Sequence, residues 1–326
     1  MVSLVLGIDL GTSGVRVAVL NQNGGLEHSH AVDYACGLAN PEDWQSACRT
    51  LIRSIPETLR HQLEAVAVDG TSGTLLACSG DGLPLGPALP YSQACPDGAE
   101  ELRVLVPGNG PASSISGSLA RGLSLLKHYP HLELLRHQAD WINGWLMQDW
   151  RWGEEGNNLR LGWDLQQQCW TGALASQSWS AALPEVCSSG SILGGIDPAI
   201  AEELGLPADL QVVAGTTDSN AAVLAANPGD GDGITVLGTT LVMKRFTRHP
   251  IQGAGITPHR IGTRWLCGGA SNAGAGVLRR YFSDAQLDEL SRQIDPGQDS
   301  GLNYRPLPAR GERFPVDDPN LEPVLE

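Results

Sequence analysis

Residues 6–19 read LGIDLGTSGVRVAV, and residues 234–243 read ITVLGTTLVM. In both stretches an apolar run of β type meets the turn Leu-Gly-Thr-(Ser/Thr), and a second strand-like run follows. Glycine lets the backbone come close to a ligand, and Ser/Thr hydroxyls add donors beside the amides of the turn. Two such turns facing one another would clamp a polyphosphate, and the duplication predicts two similar halves that close around a cleft.

The first turn differs from the Walker loop and from the dinucleotide-binding loop. A Walker loop has a Lys after its last glycine, and a dinucleotide loop opens directly into a helix. Here no Lys follows, and Val15, Val17 and Val19 alternate as on a strand. The turn is therefore predicted at a hairpin tip, with Asp9 on the incoming strand. A carboxylate beside phosphate-binding amides fits a Mg²⁺ held between them, whereas the plain alternative is a tight hairpin with a surface aspartate.

Composition favours a soluble cytoplasmic enzyme, and a length of 326 residues predicts two domains. The formal net charge of −15 argues against nucleic acid or an anionic membrane as partner. No apolar run approaches the length of a membrane span, and the N-terminus lacks a signal-peptide pattern. The seven cysteines are scattered without a CxxC pair, which favours reduced thiols and argues against a disulfide framework or a zinc site.

Strand-like runs alternate with helical ones along the chain, which predicts the α/β class. The predicted helices cover residues 41–62, 116–128, 139–146 and 200–204, and the stretch 215–220 is predicted to lead into a further helix that ends at 226. The predicted strands cover 63–68, 75–78 and 210–214, and 188–196 is predicted as loop. The strongest break is NPGDGDG at residues 227–233. It predicts a first domain over residues 1–226 and a second over residues 227–326.

Asp218 is the predicted catalytic residue. It closes the run GTTD at residues 215–218, which follows a predicted buried strand and leads into a predicted helix. Capping of that helix is the alternative role. However, Thr216 and Thr217 already supply cap hydroxyls, and the helix dipole would keep Asp218 ionised. A carboxylate in that position can accept a proton, and phosphoryl transfer to an alcohol needs such a group to orient the hydroxyl.

The chain resembles the FGGY carbohydrate kinases in five motifs that occur in the same order. They are IDLGTS at 8–13, DGTSG at 69–73, GTTD at 215–218, LGTT at 237–240 and GGASN at 268–272. The resemblance implies an actin-like ATPase (ribonuclease H-like) fold, with two similar domains around a cleft, and the use of ATP with Mg²⁺. Within the family, YSQAC at 91–95 and GLNYRPLPARGERFP at 301–315 look most like the small cyanobacterial and plastid branch. That branch is described as D-ribulose or D-xylulose kinase.

The resemblance also implies roles for the matched residues. Asp9 would hold Mg²⁺ and face the sugar, and Asp218 would be the general base. Phosphate contacts would come from Gly11, Thr12, Ser13, Gly238 and Thr239, and the nucleotide side would be lined by Gly268, Gly269 and Ser271. Ser72 would bind a sugar hydroxyl. Tyr91, Gln93 and Asp140 are further candidates for the sugar pocket, although Tyr91 could equally be a packed aromatic and Asp140 a helix cap.

The chain departs from the family pattern at its end. FGGY kinases continue into a helix-rich segment with a second glycine-rich motif that encloses adenine, whereas this chain stops in the acidic stretch 317–326. The second domain is therefore expected to be truncated, in a fragment or in a naturally shortened product. Such a chain would bind sugar through its first domain, hold ATP weakly and associate through its uncovered apolar face.

The favoured function is ATP-dependent phosphorylation of a ketopentose hydroxyl, with D-ribulose as the first choice of sugar. D-xylulose is the alternative substrate. An inactive sugar-binding remnant and an actin-like ATPase are the alternative functions, since the adenine-enclosing segment is missing. The expected partners are a small sugar and ATP, and the sequence leaves the oligomeric state open.

Overall fold

The computed structural model describes residues 3–108, 110–229, 231–238 and 240–325. The chain divides into two compact units, Met1–Ala222 with Arg260–Gly262, and Val223–His259 with Thr263–Glu326. The strands are β1 (Leu4–Leu10), β2 (Gly14–Asn21), β3 (Leu26–Asp33), β4 (Leu63–Gly70), β5 (Leu75–Cys78), β6 (Leu134–His137), β7 (Trp152–Glu154), β8 (Trp163–Asp164), β9 (Cys169–Trp170), β10 (Glu185–Cys187), β11 (Ile192–Gly195), β12 (Gln211–Thr217), β13 (Gly233–Leu237), β14 (Leu241–Thr247), β15 (Thr257–Ile261), β16 (Arg264–Ser271), β17 (Tyr304–Arg305) and β18 (Val324–Leu325). The α-helices are α1 (Pro41–Ser54), α2 (Glu57–Arg60), α3 (Ala99–Leu105), α4 (Ser118–His128), α5 (Gln138–Met147), α6 (Glu155–Asn158), α7 (Gly172–Ala175), α8 (Pro198–Leu204), α9 (Asp218–Ala225) and α10 (Asp284–Ser291).

The first unit is organised by a six-stranded sheet in the order β11-β12-β4-β1-β2-β3. Strands β1, β2 and β3 form an antiparallel meander. Strand β4 runs parallel to β1, and β12 runs parallel to β4. The carboxyl ends of β1, β4 and β12 therefore meet at one edge of the sheet, which is where ligands bind in open α/β sheets.

The alternation of buried and less buried residues in β1 determines which of its side chains share a face with those of β4. In β1, Leu4, Leu6, Ile8 and Leu10 are each at most 2% exposed, so Asp9 lies on the opposite face. The parallel register pairs Asp9 with Asp69 of β4. A slip by one residue would turn the apolar set toward solvent, so the core locks this register. The two aspartates are thereby held side by side on the same face.

Two predicted segments of the first unit are wrong in part. The predicted helix 41–62 ends at Ser54, because Pro56 lacks a backbone N–H and interrupts the helical bonding before the short helix α2. The predicted loop 188–196 contains strand β11 at the edge of the sheet. Strand β11 lies at the edge of the sheet, and Ile192 in it is 62% exposed. The sequence of this strand therefore shows no apolar alternation from which a strand could have been predicted.

The second unit contains a four-stranded sheet in the order β13-β14-β16-β15. Strands β13 and β14 form an antiparallel hairpin in which Leu237 pairs with Leu241. The second glycine-threonine turn therefore forms a hairpin tip, as the first one does. Gly238 donates its N–H to the carbonyl of Thr240 at 3.0 Å, while Thr239 lies outside the described residues.

In the described part of the chain, none of the helices combines the length and the apolar character that crossing a bilayer requires.

Candidate active site

Three aspartates gather at the carboxyl edge of the first sheet. Asp9 and Asp69 are register neighbours near the ends of β1 and β4, and Asp218 begins α9 directly after β12. Burial raises the pKa of Asp69 well above its ordinary value, and the negative charges of Asp9 and Asp218 raise it further. The three carboxyl groups therefore lie within electrostatic reach of one another. Asp69 was part of a predicted motif but had no predicted role.

Gly215 lets β12 come close to β4 just before Asp218. A Cβ atom at this position would lie 2.1 Å from the carbonyl oxygen of Val68. Real Cβ atoms do not approach backbone so closely, so glycine is required here. The strand register also shifts between Ala214 and Thr217. This irregular end of the strand leads straight into α9 and places Asp218 in its first turn.

Asp218 accepts a hydrogen bond at Oδ1 from the N–H of Ser219 at 2.6 Å. That contact with a neighbouring amide is compatible with a capping role and with a role as base. Thr216 and Thr217 are both buried, and the Oγ1 atom of Thr217 lies 3.5 Å from the hydroxyl of Ser219. The catalytic role of Asp218 stays a prediction.

The first glycine-threonine turn forms the tip of the β1–β2 hairpin. Gly11 donates its N–H to the carbonyl of Gly14 at 2.9 Å, and the side chains of Thr12 and Ser13 are exposed at the tip. Arg16 of β2 pairs across the hairpin with Asp9, with 3.1 Å between Nη1 and Oδ2. Arg16 had no predicted role, although the register of the hairpin pairs it with Asp9.

Two of the predicted sugar-pocket residues lie near this tip or near Asp69. The hydroxyl oxygens of Tyr91 and Thr12 are 3.3 Å apart, so Tyr91 is in contact with the first hairpin tip. Ser72 is half-buried in the turn that follows β4, three residues after Asp69. Gln93 is exposed. The structure thus connects Tyr91 to the tip, while Gln93 is positioned mainly through its backbone.

Arg121 of α4 donates hydrogen bonds to the loops that carry these residues. Its side chain is 1% exposed, and it donates from Nε to the carbonyl of Gly73 at 2.8 Å and from Nη2 to that of Ser116 at 3.1 Å. From Nη1 it donates to the carbonyls of Tyr91 at 3.0 Å and Gln93 at 2.7 Å. Burial lowers the pKa of Arg121 to about 10, so the side chain is charged at neutral pH. This arginine had no predicted role, because one Arg on a helix is typical of a solvent-exposed face.

Asp140 is buried in the first turn of α5, whose N-cap is His137. The alternative role of Asp140 as the cap of this helix is therefore wrong. Its carboxylate accepts from the N–H of Glu154 at 3.0 Å and from the side chain of Asn158 at 3.3 Å, and it lies 3.6 Å from Nδ1 of His137. These contacts join α5 to β7 and α6, and a sugar contact of Asp140 stays a prediction.

In the second unit, the predicted nucleotide-side residues are tightly packed. Cβ atoms on Gly268 and Gly269 would lie 2.0 Å and 2.4 Å from the backbone oxygens of Met243 and Gly255. Ser271 donates its hydroxyl to Glu312 at 2.5 Å. This packing accounts for both glycines and the serine without a ligand. Their role beside a nucleotide stays a prediction.

The aspartate pair is suited to a divalent cation. Oδ1 of Asp69 is buried and has no hydrogen-bond partner, and Asp9 lies beside it. Within the described ranges there is no group of three or more His, Cys, Asp or Glu side chains that could hold a metal ion. Mg²⁺ needs no such cage, since it is usually held by one or two carboxylates together with water and phosphate oxygens. The residues present therefore fit a phosphate-bound Mg²⁺.

No family model matches the chain. Among solved structures, it is similar to a xylulose kinase from Brucella ovis, with a TM-score of 0.85 and 17% identity over 99% of this chain and 73% of that one. A xylulose kinase from Lactobacillus acidophilus has a TM-score of 0.78 and 15% identity over 99% and 72% of the two chains. A gluconate kinase from the same organism has a TM-score of 0.75 and 14% identity over 91% and 67%. The chain therefore has the predicted α/β actin-like ATPase (ribonuclease H-like) fold, whereas the truncated second domain is not confirmed by these similarities.

Proposed function

We propose that this chain is an ATP-dependent carbohydrate kinase that phosphorylates a hydroxyl of a ketopentose. The observation that carries the proposal is the placement of Asp218 at the start of α9, within electrostatic reach of Asp9 and Asp69. A potential base and a potential metal ligand thus meet at the edge of the sheet where ligands bind. The names of the similar structures, xylulose and gluconate kinases, support the same reaction class.

The phosphates of ATP would be held by local groups, because a net charge of −15 makes the overall field of the chain unfavourable to an anion. At the first hairpin tip the candidates are Thr12 and Ser13, joined by the guanidinium of Arg16. In the second unit the candidates are the tip at Gly238 and Thr239 and the β16 residues Gly268, Gly269 and Ser271. Asp9, with Asp69 beside it, would hold Mg²⁺, which neutralises phosphate charge when it is bound.

Asp218 would act as the general base. The acceptor hydroxyl gives its proton to the Asp218 carboxylate while its oxygen forms a bond to the γ-phosphorus. The bond from that phosphorus to the bridging oxygen breaks, and ADP leaves. The positive end of the α9 dipole favours the ionised form of Asp218. A base in this position contributes about 10²–10⁴-fold to the rate.

The sugar would lie against Ser72 and Tyr91, with Gln93 and Asp140 as further candidates. Arg121 holds the carbonyls on both sides of this pocket in place. The resemblance to the cyanobacterial and plastid branch favours D-ribulose. The names of the similar structures give equal support to D-xylulose.

A coupled assay of ADP release on the purified chain tests the proposal. It compares D-ribulose, D-xylulose, glycerol and gluconate with a reaction that lacks sugar, and mass spectrometry identifies the phosphorylated product. Asp209→Asn, an exposed aspartate next to β12, is the matched control for Asp218→Asn. We expect ketopentose-dependent ADP release in the wild type and the control, and its loss in Asp218→Asn.

Two other outcomes would overturn the proposal. ADP release that does not depend on any sugar would identify an actin-like ATPase. Calorimetric binding of a ketopentose without ATP binding or turnover would identify a sugar-binding protein without kinase activity.

A further inference from the structure

A buried glutamate lies behind the strand that leads to Asp218. Glu154 ends β7, is 3% exposed and caps the N-terminus of α6. Its Oε2 atom accepts from the backbone N–H of Asn157 at 2.8 Å and from the amide side chain of the same residue at 3.2 Å. Its Oε1 atom accepts from the hydroxyl of Ser189 at 2.6 Å. The carboxyl group is therefore fixed by three donors in the interior of the first unit.

The same carboxyl group contacts Thr216 on one side of Asp218 and is linked through it to Asn220 on the other side. Its Oε1 atom also accepts from the hydroxyl of Thr216 at 3.5 Å, and the Thr216 oxygen in turn accepts from Nδ2 of Asn220 at 3.4 Å. Thr216 precedes Asp218 by two residues, and Asn220 follows it by two. Both side chains are buried, at 3% and 0% exposure. The chain of contacts from Glu154 to Thr216 to Asn220 therefore spans the junction of β12 and α9.

The ionisable groups around Glu154 are mainly acidic. Asp140 of α5 accepts from the Glu154 backbone and lies beside His137. Glu155 of α6 is neutralised by Arg260 at 2.6 Å, and Cys187 of β10 is the strand neighbour of Glu154. The pKa of Glu154 is raised to about 7, because burial raises it more than the donors from Ser189, Gly156 and Asn157 lower it, and the charge of Asp140 adds to the increase. Both protonation states are therefore accessible near neutral pH.

The protonation state of Glu154 determines which group donates the proton in its contact with Thr216. An ionised Glu154 only accepts, so Thr216 donates its single hydroxyl proton to it and keeps its lone pairs for Asn220. The link is long, at 3.5 Å between the two oxygens, and its attraction is larger when the Glu154 carboxyl group carries the negative charge. A protonated Glu154 carries its own O–H and no longer needs the Thr216 proton, so the link weakens.

We propose that Glu154 is a positioning residue, which in its ionised form holds the β12–α9 junction through Thr216 and Asn220 so that Asp218 faces the acceptor hydroxyl. The inference rests on the proposed kinase function. According to this inference, the activity of Asp218 as a base depends on the carboxyl group of Glu154, which lies outside the site.

The test is the pH profile of kcat for the wild type and for Glu154→Gln, with Glu185→Gln, at an exposed position of β10, as the control. In the wild type and the control, kcat should fall as the pH drops through about 7. In Glu154→Gln, kcat at pH 8 should be about 10-fold to 100-fold lower, as for other supporting partners of a site residue. KM for the sugar and for ATP should stay within a small factor, and the fall near pH 7 should be gone.

A wild-type kcat and an unchanged fall near pH 7 in Glu154→Gln would overturn the inference while leaving the kinase function intact. A wild type without sugar-dependent ADP release would overturn both. If Glu154→Gln does not fold, Thr216→Val and Thr216→Ser decide the matter. Thr216→Val should lose the fall near pH 7, since it breaks the link, and Thr216→Ser should keep it. Equal profiles of these two variants would also refute the inference.

Discussion

Replacing Arg121 by methionine should destabilise the first unit and displace the loops of its predicted sugar pocket. The guanidinium donates to four backbone carbonyls, those of Gly73, Tyr91, Gln93 and Ser116. Each hydrogen bond to a charged group contributes about 1.5–3 kcal/mol, but the cost of burying the charge offsets much of that sum. The variant leaves four carbonyls without their donor, at about 1–3 kcal/mol for each group that stays buried and unsatisfied, but it also removes the cost of burying the charge. We therefore expect a loss of about 3–5 kcal/mol in the free energy of unfolding.

Urea denaturation followed by tryptophan fluorescence measures this loss, and the nine tryptophans supply the signal. Kinetics should show KM for the sugar raised about tenfold, and KM for ATP nearly unchanged, because small displacements of positioning groups cost one to two orders of magnitude. Arg121→Lys keeps the charge without the planar fork and should fall between the wild type and Arg121→Met. Arg103→Met, at an exposed position of α3, is the matched control.

The reasoning is refuted if Arg121→Met unfolds within about 0.5 kcal/mol of the wild type, the range of ordinary surface substitutions. It is also refuted if a destabilised variant, assayed below its unfolding transition, has the wild-type KM for the sugar. In that case the arginine would support the fold but not the pocket.

Three further predictions concern the aspartates and the strand behind them. Asp218→Asn should lower kcat by about 10²–10⁴-fold while the sugar Kd stays within a small factor. Near-normal turnover of this variant would mean that Asp218 is not the base and only caps the helix. Asp9→Ala should make ATP binding indifferent to Mg²⁺ in titrations with and without EDTA, and an unchanged Mg²⁺ dependence would place the metal elsewhere. Gly215→Ala puts a Cβ atom 2.1 Å from the carbonyl oxygen of Val68 and should lower Tm, with a cost of at least about 1–3 kcal/mol from overpacking. A Tm equal to that of the wild type would show that β12 can move away from β4.

The hairpin tips and their aspartate could be predicted because all of their signals are local. The alternation of Val15, Val17 and Val19 and the glycines of the turn lie within one short stretch, and the structure confirms the hairpin. Asp69 was not singled out, because its proximity to Asp9 depends on the parallel register of strands some sixty residues apart. Periodicity within a strand carries no information about that register.

Arg121 and Glu154 were missed for a related reason. A charged residue in a sequence is usually solvent-exposed, and only the tertiary structure buries these two side chains among backbone donors and acceptors. The neighbouring glutamates Glu154 and Glu155 follow a tryptophan-rich stretch in the sequence. Their spacing does not indicate that Glu155 pairs with Arg260 while Glu154 lies 3.5 Å from Thr216.

The burial of Glu154 has a consequence for how the fold responds to acid. Its folded pKa of about 7 lies above the ordinary value of 4.5, so the folded state binds a proton more tightly than the unfolded chain does. By proton linkage, this group adds stability as the pH falls from about 7 toward 4.5 and removes it again as the pH rises. In the second unit, hydrogen bonds from Ser271 and nearby amides lower the pKa of Glu312 against the opposing effect of burial, so its contribution has the opposite sign. Mild acid should therefore strengthen the first unit while weakening its proposed activity, and the ionised form that positions Asp218 is the one that folding disfavours.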